Sequence, residues 1–413
     1  MQFNTISVIG LGYIGLPTAA VIASRGIKVI GVDVNQKAVD TINAGNIHIV
    51  EPDLDIVVRS TVMTGNLRAT TTPEAADAFI VAVPTPFKGE NHEPDLSYIE
   101  KASLAIAPVL QKGNLVILES TSPVGATEQM AAWLAAARPD LSFPQHKGEQ
   151  ADIKVAHCPE RVLPGYVLQE LVSNDRVIGG MSPACSDMAV ELYKTFVRGD
   201  CVVTNARTAE MAKLTENSFR DVNIAFANEL SLICDKLKIN VWELIKLANR
   251  HPRVKILNPG PGVGGHCIAV DPWFIVNSCP EQAKLIKQAR LVNDYKPHYV
   301  IEQIKEAADA FKKPVIACLG LAFKADIDDL RESPALDIVK QLAADNVGEI
   351  LAVEPNIHEL PNSLVNSDVK LVSLQQAIEQ ANIIVILVDH KQFKNADKST
   401  WATKFVIDTR GVI

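Results

Sequence analysis

Positive charge is in short supply in this chain. Forty Lys and Arg stand against 48 Asp and Glu, a formal net charge of −8 at pH 7. Nucleic-acid binders normally carry a basic face, so that class is set aside, although a local pocket for phosphates stays open. No apolar run approaches the roughly 18 to 20 residues needed to cross a bilayer. The first residues, Met1 to Gly10, read as the start of a strand and lack the charged and apolar regions of an export signal, so a cytoplasmic location is expected. The seven Cys, at 158, 185, 201, 234, 267, 279 and 318, are odd in number, irregular in spacing and form no C-x-x-C. That excludes a disulfide framework and predicts free thiols. Zinc spacing is also missing, so no metal is expected. Low-complexity segments do not occur. What remains is 413 residues at 47% hydrophobic, enough for two or three domain cores.

Apolar runs and helical stretches alternate at both ends of the chain. Ile6 to Ile9, Lys28 to Val32, Ala78 to Val83 and Leu115 to Leu118 read as strands, with a helix from Leu16 to Arg25. Strands return late, at Pro314 to Gly320, Ile350 to Val353, Ile383 to Val388 and Phe405 to Asp408, with a helix at Ala335 to Ala344. The two ends echo each other: VIGLGY against CLGLAF, and VIGVDVN against ILAVEPN. Between them, Thr208 to Lys238 and Val241 to Arg250 read as helices. The fold class expected is α/β, with two Rossmann-like parallel-sheet domains joined by a central helical region containing a long helix. Borders are placed at 1–200, 201–300 and 301–413.

Gly10-Leu-Gly12-Tyr-Ile-Gly15 follows a strand and opens a helix, the context a dinucleotide fingerprint requires. Gly10 serves the tight turn, Gly12 the approach of a pyrophosphate, and Gly15 the packing of helix on strand. Asp33 ends the next strand, where a carboxylate binds ribose hydroxyls and repels a 2′-phosphate; with no Arg after it, NAD is favoured over NADP. Three further segments, Val83 to Pro86, Glu119 to Gly125 and His157 to Arg161, end apolar runs. Ligands of open α/β sheets bind beyond such strand ends, so Thr121 and Glu160 are candidates, and ordinary loop punctuation fits the same pattern.

Lys213 and Asn217, four residues apart, share a helix face and could both donate to a developing oxyanion. A solvated helix face fits that spacing too. A loop dense in glycine, Gly260 to Gly265, delivers Cys267 with Asp271 four residues on. A thiolate attacks an aldehyde and a nearby carboxylate can act as base; a buried structural thiol is the plainer reading. Cys chemistry beside NAD allows an alcohol to be carried through an aldehyde, a thiohemiacetal and a thioester to an acid.

In this order and spacing, GLGYIGLP with VDVN, VPTP, ESTSPVG, CPER, AEMAKLTENSFRDVNIAFANEL, GVGGHC and LAFKADIDDLRESPA resemble the UDP-glucose/GDP-mannose dehydrogenase family over almost the whole chain. The resemblance implies a cytoplasmic, dimeric, NAD-dependent enzyme that oxidises C6 of a nucleotide-linked hexose with two NAD. It implies Cys267 as nucleophile, Lys213 and Asn217 as the oxyanion-stabilising pair, Asp271 in proton transfer, Glu160 in thioester hydrolysis and Thr121 on the reactive water. Tyr13, Ile14, Pro84, Thr85, Thr121 and Arg331 join the glycines and Asp33 around NAD. Arg161, Leu163, Arg220, Gly264, His266, Phe323 and Lys324 join the substrate set, and Arg253 reaches the neighbouring subunit's substrate. The last domain would bind the UDP. Val270 stands where many UDP-glucose enzymes carry Lys, and the GHCxxVDPW form resembles the branch acting on N-acetylated sugars. The implied substrate is UDP-N-acetyl-D-mannosamine, with its uronate feeding bacterial surface polysaccharide such as enterobacterial common antigen or capsule. UDP-N-acetylglucosamine, UDP-glucose, or a silent nucleotide-sugar sensor are the alternatives.

Overall fold

A computed structural model describes residues 3–89, 91–163, 165–265 and 267–413. His266, a candidate substrate contact, lies outside the described residues. The chain forms two compact units, Met1–Glu216 and Asn217–Ile413.

The first unit is built on an eight-stranded sheet. Its strands are β1 (Thr5–Ile9), β2 (Lys28–Val32), β3 (Leu67–Thr70), β4 (Ala78–Val81), β5 (Leu115–Leu118), β6 (Lys154–His157), β7 (Arg176–Gly180) and β8 (Cys201–Asn205). They lie in the order β8-β7-β6-β5-β4-β1-β2-β3, parallel except for the β6–β7 pair. The central strands are near-continuous apolar runs because both faces are covered. Ile6, Val8 and Ile80 enter one core, whereas Ile9, Phe79 and Val81 enter the other. The chain builds outward from β1 through β2 to β3, then returns to the other side of β1 at β4. That reversal opens a crevice beyond the carboxyl ends of β1 and β4, the position where ligands bind in such sheets. Helix α1 (Gly15–Ala23) leaves directly from the turn after β1, and every one of its residues is buried. Helix α2 (Ala126–Ala137) follows β5.

Helix α3 (Ala206–Leu237) runs from the first unit into the second. The second unit continues with α4 (Val241–Ala248), α5 (Asp271–Ser278) and α6 (Lys284–Ala308). It then forms a five-stranded, all-parallel sheet of β9 (Val315–Leu319), β10 (Glu349–Val353), β11 (Lys370–Leu371), β12 (Ile383–Ile386) and β13 (Phe405–Asp408). The order is β11-β10-β9-β12-β13, with α7 (Pro334–Ala344) between β9 and β10. Strand β9 sits between β10 and β12 as β1 sits between β2 and β4, so the echo in the sequence corresponds to a repeated topology.

Polar side chains join α3 to α6 along a buried seam. Arg290 donates to Asp221 at 2.5 Å, Asn228 to Asn293 at 2.8 Å, and Lys296 to Ser231 at 2.6 Å. These bonds satisfy groups that would be costly to bury alone. The other side of α3 is apolar and bare, with Phe219 68%, Phe226 53% and Ile233 46% exposed.

Candidate functional site

In the first unit the glycine turn is dictated by close approach. Gly10 adopts φ 89°, and a Cβ there would stand 2.7 Å from the Ala82 carbonyl oxygen. A Cβ at Gly15 would fall 1.8 Å from the Gly10 oxygen. Around Gly12 no atom lies within 4 Å of that position, which leaves room at the α1 N-terminus for an anionic group. Asp33 accepts from the Leu11 amide at 2.9 Å through one oxygen and from the Asn35 amide at 2.9 Å through the other. A carboxylate offers about four lone-pair positions, so acceptor capacity remains for two ribose hydroxyls. Tyr13 and Ile14 are half-buried beside this turn. The loops beyond β4 and β5 are stitched together: Thr85 donates to the Thr121 carbonyl, and Ser120 to that of Val83 at 2.6 Å. Pro84 stands exposed on the same loop.

Glu210 was not among the candidates, yet it ties α3 to this loop. Its buried carboxylate accepts from the Gly125 amide at 2.6 Å, the Thr127 amide at 2.7 Å and the Thr127 hydroxyl at 2.6 Å. An anion at a helix N-terminus satisfies orphan donors and the helix dipole together. The bond fixes the start of α3 one turn before Lys213. Lys213 is half-buried, and among the described residues nothing accepts from its ammonium.

Glu160 does not stand open beyond its strand. It is 6% exposed, accepts from the Val162 amide, and meets the buried Arg176 guanidinium at 3.4 Å. Glu119, fully buried, accepts from the Tyr193 hydroxyl at 3.1 Å and the Thr18 hydroxyl at 3.4 Å. Arg176 also lies 5.5 Å over the Tyr193 ring. Two carboxylates thus compete for one guanidinium. Burial pushes the Glu119 carboxyl up to about 7, with Arg176 opposing the rise. Glu119, Arg176 and Tyr193 escaped the sequence analysis. The available signal was a Glu closing an apolar run and an Arg opening one. Arg161 pairs with Glu216 at 2.8 Å, and Leu163 is exposed.

The raised Glu119 has a stability consequence. Between about 4.5 and about 7 the folded chain keeps a proton that the unfolded chain releases, so stability falls as pH rises through that window. Denaturant unfolding is expected to show a loss on the order of 1 to 3 kcal/mol between pH 5 and pH 8 that Glu119→Gln removes. Parallel pH profiles for the two proteins would contradict this.

In the second unit, α5 begins at Asp271 and Cys267 lies one turn before it. The Cys267 carbonyl accepts the Asp271 amide at 2.8 Å. Asn217 donates its side-chain amide to the buried Asp271 carboxylate. Asp271 and Asn217 therefore meet, although 54 residues separate them, and Cys267 joins them through its backbone bond to Asp271. The solvated-face reading of α3 fails: Glu210 (1%), Asn217 (7%) and Asp221 (0%) are buried. Arg220, also on α3, is exposed. Cys267 is exposed, whereas burial pushes the thiols of Cys158 and Cys318 up to about 12. Cys279 is exposed as well.

The glycine loop lies directly on the segment after β9. A Cβ at Gly264 would meet the Glu332 oxygen at 2.3 Å, and one at Gly265 would meet the Phe323 ring at 3.0 Å. Phe323 and Lys324 are half-buried here. Arg331 is exposed and pairs with Asp329 at 2.6 Å. Arg253 is exposed on the loop after α4.

Profiles of one family cover nearly the whole chain: the NAD binding domain over residues 4–197, the central domain over 207–295 and the UDP binding domain over 317–413. The chain belongs to the UDP-glucose/GDP-mannose dehydrogenase family. It is an NAD-dependent UDP-sugar dehydrogenase. The turn around Gly12 and the carboxylate of Asp33 fit that cofactor. Among relatives of this family, the UDP-N-acetyl-D-mannosamine dehydrogenase of Campylobacter jejuni is 69% identical over 393 residues, 95% of this chain and 97% of its own. The NDP-N-acetyl-D-galactosaminuronic acid dehydrogenase of Ralstonia nicotianae is 66% identical over 412 residues, 100% of this chain and 97% of its own. The structure of the UDP-D-ManNAc dehydrogenase from Pyrococcus horikoshii matches with TM-score 0.90 and 41% identity, over 99% of this chain and 96% of its own. No helix among the described residues is long and apolar enough to cross a membrane.

Proposed function

We propose that the chain oxidises C6 of UDP-N-acetyl-D-mannosamine to the carboxylate, giving UDP-N-acetyl-D-mannosaminuronate for surface polysaccharide in the cytoplasm. The observation that carries this reading is the exposed Cys267 beside the Asn217–Asp271 pair, in a chain 69% identical to a dehydrogenase named for that sugar. Bound NAD supplies the hydride acceptor, one per two-electron oxidation.

The C6 hydroxyl first gives up a proton, assisted by Asp271, and a hydride, leaving an aldehyde. The Cys267 thiolate then adds to C6; a C–S bond forms and the carbonyl becomes an oxyanion. Lys213 and Asn217 donate to that oxyanion. Its collapse expels a second hydride and leaves a thioester on Cys267. Water held near Thr121 attacks C6 as its proton passes inward to the buried Glu160, the C–S bond breaks, and the thiolate returns. Net consumption is one sugar, two NAD and one water; the products are the carboxylate, two NADH and three protons. Gly10, Gly12, Tyr13, Ile14, Gly15, Asp33, Pro84, Thr85 and Arg331 hold the cofactor in this reading. Arg161, Leu163, Arg220, Arg253, Gly264, His266, Phe323 and Lys324 hold the UDP-sugar.

We further assign the three-part division at 1–200, 201–300 and 301–413, and a homodimer. The bare stripe of Phe219, Phe226 and Ile233 supports the dimer, because apolar residues repeated along one helix face are normally covered. A galacto-configured substrate is the second reading, favoured by the Ralstonia relative at 66% identity. Comparing kcat/KM for UDP-activated N-acetylmannosamine, N-acetylgalactosamine, N-acetylglucosamine and glucose separates them. The first should lead by about tenfold or more, the discrimination one well-placed polar contact supplies; a lead for any other sugar overturns the assignment.

A further inference from the structure

The second sheet repeats the first down to its glycine turn. Gly320 follows β9 with φ 100° and donates its amide to Val353 at 2.8 Å, as Gly10 with φ 89° donates to Val32 at 2.8 Å. Glu354 then ends β10 where Asp33 ends β2. The two carboxylates differ in what they hold. Asp33 is partly exposed and accepts two amide bonds. Glu354 is 4% exposed. Through one oxygen it takes the amides of Leu321 at 2.8 Å and Ala322 at 3.0 Å and the His390 ring at 3.0 Å. Through the other it takes the Asn356 amide at 3.2 Å and side chain at 3.1 Å. Those five contacts exceed the roughly four lone-pair positions of a carboxylate, so no acceptor is left for a ribose diol.

His390 is 1% exposed, and its bonds define its tautomer. Nδ1 receives the Asp326 backbone amide at 2.9 Å, and an amide can only donate. Nε2 therefore carries the hydrogen and donates to Glu354. Asp326 adopts φ 62°, a strained conformation for a residue with a Cβ, and its carboxylate accepts the Lys391 amide at 3.0 Å. Two bonds thus clasp Asp326 to residues 390 and 391. The same segment binds back on itself through Phe323 to Asp329 at 3.1 Å, and it supports the Gly264–Gly265 turn.

We infer that Glu354 fills the place a ribose would take in the second glycine-turn site and holds His390, whose Nδ1 latches the Asp326 amide and so positions the 321–332 segment for substrate. His390 is a positioning residue; its effect on substrate rests on the proposed roles of Phe323 and Lys324.

The test uses the full-length enzyme and two substitutions. Asn places an acceptor where Nδ1 was but cannot reach Glu354; Gln reaches Glu354 but leaves the Asp326 amide unmatched. Hydrogen exchange across 321–332 should quicken about tenfold in His390→Gln and stay within about threefold of the parent in His390→Asn, the scale of one lost backbone bond. KM for the UDP-sugar should follow the same order. Unaltered exchange in His390→Gln, or equal exchange in both variants, overturns the latch. Faster exchange without a change in sugar KM, while Lys324→Ala raises that KM, overturns the positioning role. If Lys324→Ala also leaves KM unchanged, it is the substrate assignment of the segment that falls, and exchange alone still decides the latch.

Discussion

Cys267→Ser is expected to abolish release of the acid, with kcat reduced by about 10³-fold or more, the scale seen when a nucleophile is removed. The reason lies in the second oxidation. An aldehyde has no hydride to give until a nucleophile has made its carbon tetrahedral, and a serine hydroxyl at that position is far less ionised than a thiol. Cys267 is exposed and carries Asp271 one turn away, whereas Cys158 and Cys318 are sealed in sheet cores where burial suppresses the thiolate. Binding of NAD and of the UDP-sugar should survive the change, since neither depends on the sulfur. Acid production at the parent rate would remove Cys267 from the mechanism and leave water as the attacking group.

Lys213→Ala should lower kcat by about 10²- to 10³-fold with KM for the sugar within a few-fold, because an oxyanion donor acts on charge that exists only during reaction. Lys213 is the cleaner probe of the pair. Its ammonium makes no internal hydrogen bond among the described residues, so its loss disturbs little in the resting protein. Asn217 instead donates to a buried carboxylate, and removing it takes a hydrogen bond from Asp271 at a cost of about 1 to 3 kcal/mol. Steady-state kinetics and a melting curve on both variants separate the two effects. A change confined to KM in Lys213→Ala would contradict the oxyanion role.

What the sequence disclosed follows from the range of each interaction. The glycine turn, Asp33 and the long helix were legible because a turn, a strand end and a helical period are set by neighbours a few residues apart. The repeat of VIGVDVN in ILAVEPN likewise announced a second sheet of the same topology. Spacing alone could not say which side of α3 faces inward. The structure buries its polar side against Arg290 and Asn293 and leaves Phe219 and Phe226 bare, the reverse of a solvated amphipathic helix. Pairings across long separations were equally hidden. Asn217 meets Asp271, and Tyr193 meets Glu119, only because strands and helices distant in sequence are packed together. The Glu354–His390 pair was latent in the repeat, since a Glu replaces Asp at the ribose position, but its partner could not be found without the fold.

The four-electron reaction through Cys267 is tested most directly by counting reducing equivalents. The purified enzyme is mixed with limiting UDP-N-acetyl-D-mannosamine and excess NAD, and NADH absorbance is followed to completion. Two NADH per sugar, with the carboxylate as the sole sugar product, is the expected result. One NADH per sugar with free aldehyde accumulating would contradict it, and no NADH from any of the four UDP-sugars would contradict the dehydrogenase itself.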